Sequence, residues 1–261
     1  MLFSSLFFLF YFLPVVLAVY ALVSFSRTLQ NLWLLVVSLF FYAWGEPFFV
    51  FVMIGSIYFN WAMGGILSRV RLDKRYAYPA IAVTVPVNIG ILFAYQYLNF
   101  FTDNLNFLLG VELFKVGHIP LPLGISFFTF QAMSYVIDVY MGTARVEKNP
   151  FYVGLYIALF PQLVAGPIVR YADIATQLRH RRQTWDLLAA GLSRFVIGLG
   201  KKILIANAMG AAAANIFMLS GVGRPTAIVP ATLAWLGVLS STLPIYFYFS
   251  AYSDLAIGLW H

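Results

Sequence analysis

The sequence contains no cysteine, which excludes disulfides, a thiolate nucleophile and cysteine metal sites. Histidine is nearly as scarce, with only His118, His180 and His261 present. So few give no basis for a histidine metal cluster, and no metal is expected. Charge is sparse as well: 10% of residues are Asp, Glu, Lys or Arg, against roughly a quarter in a soluble globular chain.

In their place the chain is 62% hydrophobic and rich in phenylalanine and tyrosine. A membrane span needs about 20 mainly apolar residues, and runs of that length recur throughout. A soluble domain could not bury them all. A β-barrel would show segments of roughly 10 residues with alternating polarity, which "LWLLVVSLFFYAW" (32–44) lacks. The expected fold class is an all-α polytopic membrane protein. It would be a multi-span helical bundle forming one transmembrane domain over 1–261, with the lipid bilayer as its first partner.

The net charge is +7, but the basic residues sit in short loops between apolar runs. That pattern sets topology by the positive-inside rule. A nucleic-acid surface would need one continuous basic face, so no nucleic acid is expected. The opening "MLFSSLFFLFYFLPVVLAVYALVSF" has no positive start and is too long for a cleaved signal. It predicts a retained first span over 3–25. Further spans follow over 30–45, 47–67 and 77–97, with "WGEP" (44–47) breaking the second from the third. Arg27 and the basic loop "SRVRLDKRY" (68–76) are separated by two spans and fall together on the cytoplasmic side. "LNFFTDNLNFLLGVELFKVGH" (98–118) predicts an outward amphipathic segment at the interface, with His118 solvated or interfacial at its end.

The run 119–140 is long enough to span and returns the chain to the cytoplasm at "MGTARVEKNP" (141–150). The run 151–169 is also long enough to cross. Yet crossing would put the most basic stretch, "RYADIATQLRHRRQTWD" (170–186), outside. The conflict disappears if 151–169 enters the membrane and turns back. Pro161, Gly166 and Pro167 interrupt the helix and Gln162 is polar at depth, and such backbone is tolerated only when buried in protein or lining a water-filled cavity. A re-entrant element around an internal cavity open to the cytoplasm is expected; a proline-kinked span is the alternative. His180 belongs to the basic cytoplasmic face, where an anionic, phosphate-bearing ligand is a second reading. The region 186–219 reads as one long or two broken helices, with Gly191, Gly198 and Gly200 for close packing. A last span runs from about 226.

Polar groups at membrane depth are costly and mark functional candidates. Here they are Asn60, Asn88, Gln131, Ser134, Asp138, Gln162 and Asp254. Gln131, Ser134, Tyr135 and Asp138 recur at helical spacing, so they share a stripe that faces protein or water. Interhelical hydrogen bonding is the plainer account. With no phosphate loop, nucleophile elbow or metal motif, the residues alone leave enzyme and transporter both open.

Several stretches resemble the membrane-bound O-acyltransferase family: "LPLGISFFTFQAMSYVIDVY", "LFPQLVAGPIVRY" and "YFYFSAYSDLAIGL". "MLFSSLFFLFYFLPVVLAVY" and "FYAWGEPFFVFVM" resemble the start of its subgroup that acetylates exported polysaccharides such as alginate. The resemblance implies an O-acyltransferase of the bacterial inner membrane. It would take acetyl groups from cytoplasmic acetyl-CoA and pass them to polysaccharide hydroxyls with periplasmic acetylation proteins as partners. Gln131, Ser134, Tyr135, Gln162, Gly166, Pro167, Ser253 and Asp254 would line the acyl channel. Arg179, Arg181 and Arg182 would steer the anionic donor.

The resemblance also implies a catalytic histidine, suited to proton transfer by its unperturbed pKa of about 6.5. One family histidine follows "WRRW", absent here; another stands in "GLWHG". His261, in "GLWH", is the one candidate in such a context. Relatives continue after "YSDLAIGL" with a glycine and a long further stretch. The chain is expected to be a fragment, inactive alone, with Trp260 and His261 fortuitous. An internal deletion or a short form working with a separate second half are the other accounts. D-alanyl transfer to a cell-envelope polymer, and a transporter or scaffold without chemistry, remain alternatives.

Overall fold

Every regular element among the described residues is helical. A computed structural model describes residues 5–70, 72–110, 117, 119–163, 166, 169–179, 181, 184–219 and 230–260. The chain divides into two compact units, the first formed mainly by residues 11–164 and 168–182, the second mainly by 183–261.

A π-helical turn, Phe8–Phe12, leads into α1 (Leu13–Leu22), the first helix of the first unit. Ser26 then caps α2 (Arg27–Gly45), its hydroxyl accepting from Leu29 N at 3.5 Å, as short polar side chains do at helix starts. The expected "WGEP" break closes α2 and lets α3 (Phe49–Val70) begin. Asp73 caps α4 (Lys74–Gln96), which carries Pro79 and Pro86 inside it. α2, α3, α4 and the final helix are long and apolar enough to cross a membrane. The apolar helix over Phe8–Leu22, where the first span was expected, is shorter.

The outward segment forms α5 (Leu98–Leu109), closed by Gly110 at φ 67°. Phe100, Phe101, Phe107 and Leu108 lie exposed on it, as an interfacial helix requires. Its continuation over 111–116 and His118 lie outside the described residues. α6 (Ile125–Met141) follows. Its 17 residues reach about 26 Å at ~1.5 Å each, close to the hydrocarbon thickness of about 30 Å.

The interrupted run is α7 (Pro150–Ala158) and α8 (Phe160–Leu163). Asn149 caps α7, with Pro150 in its first turn, where a missing N–H is harmless. The helix breaks at Leu159, φ −54° and ψ 114°, two residues before the proline that forbids its continuation. The N–H of Phe160 released there donates to Ser38 Oγ on α2 at 3.1 Å. Val153 to Ala158 and Phe160 to Leu163 are all buried, so the irregular backbone sits inside protein, as expected. α9 (Tyr171–Arg179) completes the unit.

In the second unit Thr184 caps α10 (Trp185–Gly200). A π-helical segment, Lys201–Ala206, continues without interruption into α11 (Asn207–Leu219). α12 (Ala231–Gly258) returns against them. Glycines set the approach: a β-carbon on Gly258 would stand 2.7 Å from Gly191 O, and one on Gly198 2.9 Å from Ala251 O. Gly191 and Gly198 therefore serve close packing, as expected, whereas a β-carbon on Gly200 would meet nothing within 4 Å, so Gly200 does not.

Candidate functional site

The stripe on α6 faces protein along its length. Gln131 Nε2 donates to Gln162 Oε1 on α8 at 3.0 Å, with both residues buried. Tyr135 OH accepts from Glu147 N at 3.3 Å. Asp138 Oδ2 accepts from Ala172 N in the first turn of α9 at 3.0 Å, a carboxylate at a helix N-terminus. Ser134 lies partly buried between them. At the other end of α8, a β-carbon on Gly124, which has φ +77°, would meet Leu163 O at 2.7 Å. The α6 start and the α8 end are thus fitted backbone to backbone.

Among the described residues, three buried polar atoms of this unit have no hydrogen-bond partner: Gln131 Oε1, Thr129 Oγ1 and Tyr42 OH. The Tyr42 ring meets the Phe128 ring edge-on at 6.3 Å, and Phe128 stands one helical turn from Gln131. Ser38, one turn before Tyr42, is bonded to Phe160 N. α2, α6 and α8 therefore bring Tyr42, Gln131 and Gln162 to one buried neighbourhood. An unmade hydrogen bond in such a place costs about 1–3 kcal/mol. Tyr42 carried no signal in the sequence.

The two flanks of the interrupted run meet. Arg179 Nη2, after it, pairs with Glu147 Oε2, before it, at 2.8 Å. Tyr156 OH on α7 donates to Val169 O at 2.7 Å. The chain therefore leaves and returns at the same end of the unit, the course expected of a re-entrant element. Glu147 is 5% exposed and Arg179 55%. The carboxylate bonded to Arg179 holds its guanidinium above the ordinary arginine range. Burial, and then the negative charge of Glu147, push the Tyr171 hydroxyl upward too.

Among the steering arginines, Arg179 has its charge matched by Glu147. Among the described residues, Arg181 bonds two neutral groups, Tyr20 OH at 2.8 Å and Asn31 Oδ1 at 3.1 Å. Arg27 Nη2 donates to the backbone of Arg181 at 2.8 Å. Arg182, Pro167 and all three histidines, His261 included, lie outside the described residues. Gly166 is buried.

In the second unit Asp254 is bracketed by cations. Arg194 Nε stands 3.0 Å from Oδ1, and Lys201 Nζ contacts Oδ2 at 2.6 Å and Ser250 Oγ at 3.1 Å. Ser253 is partly buried beside it. The sequence reading missed Arg194 and Lys201, whose only signal was their position inside an apolar helix. Asn60 and Asn88 serve structure. Their amides pair reciprocally between α3 and α4 at 3.0 and 2.9 Å.

Four helices fit to cross a bilayer, with polar groups buried among helices, define a polytopic helical membrane protein. The family model described as MBOAT, membrane-bound O-acyltransferase family, matches residues 143–260. "Probable alginate O-acetylase AlgI" of Pseudomonas aeruginosa is 40% identical over 99% of this chain and 49% of its own length. The protein of the same name from Azotobacter vinelandii is 40% identical over 99% of this chain and 51% of its own. "Peptidoglycan O-acetyltransferase" of Helicobacter pylori is 31% identical over 99% and 53% respectively. The chain belongs to the membrane-bound O-acyltransferase family. It spans about half the length of the curated relatives it matches.

Proposed function

We propose that the chain is part of an O-acetyltransferase of the bacterial inner membrane. It takes acetyl groups from cytoplasmic acetyl-CoA towards hydroxyls of an exported polysaccharide such as alginate, with periplasmic acetylation proteins as partners. The observation that carries this reading is the pair of names among its relatives. One is an alginate O-acetylase and the other a peptidoglycan O-acetyltransferase, so acetyl transfer to a glycan hydroxyl is their common chemistry.

The buried neighbourhood of Tyr42, Gln131 and Gln162 supports it. Gln131 Oε1 can accept from a hydroxyl or a water, and Tyr42 OH can donate to a carbonyl such as that of an acetyl group. Ser134 and Tyr135 would line the acyl channel beside them; the same role is proposed for Gly166, Pro167, Ser253 and Asp254 from the family resemblance alone. Arg181, whose charge no carboxylate offsets among the described residues, suits the steering of an anionic donor better than Arg179. A histidine as proton carrier, with His261 the candidate in a motif context, remains part of the proposal.

The test replaces the matching half of the Pseudomonas aeruginosa relative with this chain and measures acetyl content of exported alginate. Acetylation restored to the host, and lost with Gln131→Leu at unchanged membrane level, is expected. A chimera that inserts normally and leaves alginate bare would defeat the proposal.

A further inference from the structure

Arg194 meets Asp254 through Nε alone. Its two terminal nitrogens bond no described residue, and its side chain is 45% exposed. Nine residues separate it from Trp185, the start of α10, which places it about 14 Å along the helix. A guanidinium held by its Nε keeps a rigid fork of donors pointed away from the anchor, the shape that matches phosphate oxygens in bidentate fashion.

The anchor is stiff. Lys201 and Ser250 hold the other side of the carboxylate, and a β-carbon on Gly198 would already stand 3.0 Å from Asp254 Cβ. Among the described residues the charge here does not balance: Arg194 and Lys201 share one carboxylate, Asp254. Excess charge among apolar helices is costly and marks a functional site. The winding changes here too, since Lys201 opens the π-helical segment, a distortion frequent at functional sites.

We propose that Arg194 presents its guanidinium fork to a phosphate group, with Asp254 as the positioning residue and Lys201 supplying further positive charge. The phosphate belongs either to an anionic lipid headgroup or to a nucleotide-bearing acyl donor. Only the second source rests on the acyl-transfer proposal above.

The experiment uses the whole chain in nanodiscs. Coenzyme A binding is titrated in neutral phosphatidylcholine discs, and retention of phosphatidylglycerol is measured by native mass spectrometry. Arg194→Gln is expected to weaken at least one of the two by about tenfold, with wild-type binding falling as salt rises. Arg194→Lys keeps the charge and the reach to Asp254 but loses the fork, so it too should bind several-fold more weakly at an unchanged melting temperature. Arg194-dependent lipid retention alone assigns the site to a headgroup; Arg194-dependent coenzyme A binding assigns it to a donor. Equal binding of both probes by wild type and Arg194→Gln would overturn the proposal, as would Arg194→Lys binding as tightly as wild type. A chimera that leaves alginate bare while Arg194-dependent binding persists would sink the acetyltransferase reading and not this one.

Discussion

Tyr135 lies so close across Gly64 that a β-carbon there would stand 2.6 Å from its Cε1 and 2.7 Å from its hydroxyl oxygen. The glycine on α3 is what allows the tyrosine of α6 to reach the Glu147 backbone. Gly64→Ala should therefore displace the ring and destabilise the first unit by about 1–3 kcal/mol, the usual range for overpacking. Thermal unfolding in detergent checks this. Adding Tyr135→Leu should recover part of the loss, a coupling readable in a double-mutant cycle.

The second unit offers a contrast between two glycines. Gly258 faces backbone at 2.7 Å, whereas a β-carbon on Gly210 would meet only Tyr248 OH at 3.6 Å. Gly258→Ala should loosen α12 from α10. Gly210→Ala should be neutral or stabilising, by up to about 1 kcal/mol from helix propensity. Equal melting shifts for the two would contradict the packing described.

Tyr42→Phe removes a buried hydroxyl that has no partner among the described residues. Deleting such a group should leave stability unchanged or raise it. If the hydroxyl serves a passing polar guest, acetyl content of alginate made by the chimera should fall at the same time. Activity preserved alongside raised stability would remove Tyr42 from the channel.

The Glu147–Arg179 pair is asymmetric, with a buried carboxylate and a half-exposed guanidinium. Arg179→Gln strands the carboxylate and should cost roughly 1–3 kcal/mol, more than Glu147→Gln, which leaves the cation in reach of water. The arginine proton is held more tightly in the folded state. Its contribution is therefore complete below the ordinary arginine range and fades only as pH climbs through the raised value. Unfolding of wild type between pH 7 and pH 10 should show no step from this arginine.

Because the chain has no native cysteine, single cysteines map its sidedness directly. Arg75, Lys148 and Asp173 are exposed, and cysteines there should react with an impermeant maleimide only from the cytoplasm. Asn104→Cys should react only from outside. Opposite-side labelling at Lys148 and Asp173 would mean that the run between them crosses the membrane.

The spans were legible because apolar length is a local property: α2, α3 and α4 stand where the runs stand. The break ahead of Pro161 was legible for the same reason, since a proline dictates what its own helix can do. The shared stripe of Gln131, Tyr135 and Asp138 could be read from spacing. Its partners could not. That Asn60 answers Asn88, or that Asp254 gathers Arg194 and Lys201, depends on which helices touch and at what height. Such pairings arise from side-chain fit across 28 to 60 residues of sequence. Tyr42 was invisible because a tyrosine in an aromatic-rich run is distinguished only by what its hydroxyl lacks.

The clasp between Glu147 and Arg179 has a consequence for biosynthesis. It joins residues 32 apart, and the later one closes it. Until residues 162 to 179 have emerged from the ribosome, Gln131 and Asp138 on α6, and Glu147 just after it, lack these partners. The half-made chain is then a helix with a polar flank, more at home beside the protein walls of an insertion machine than in lipid. Release of α6 into the bilayer is in this sense timed by a residue the ribosome has yet to add.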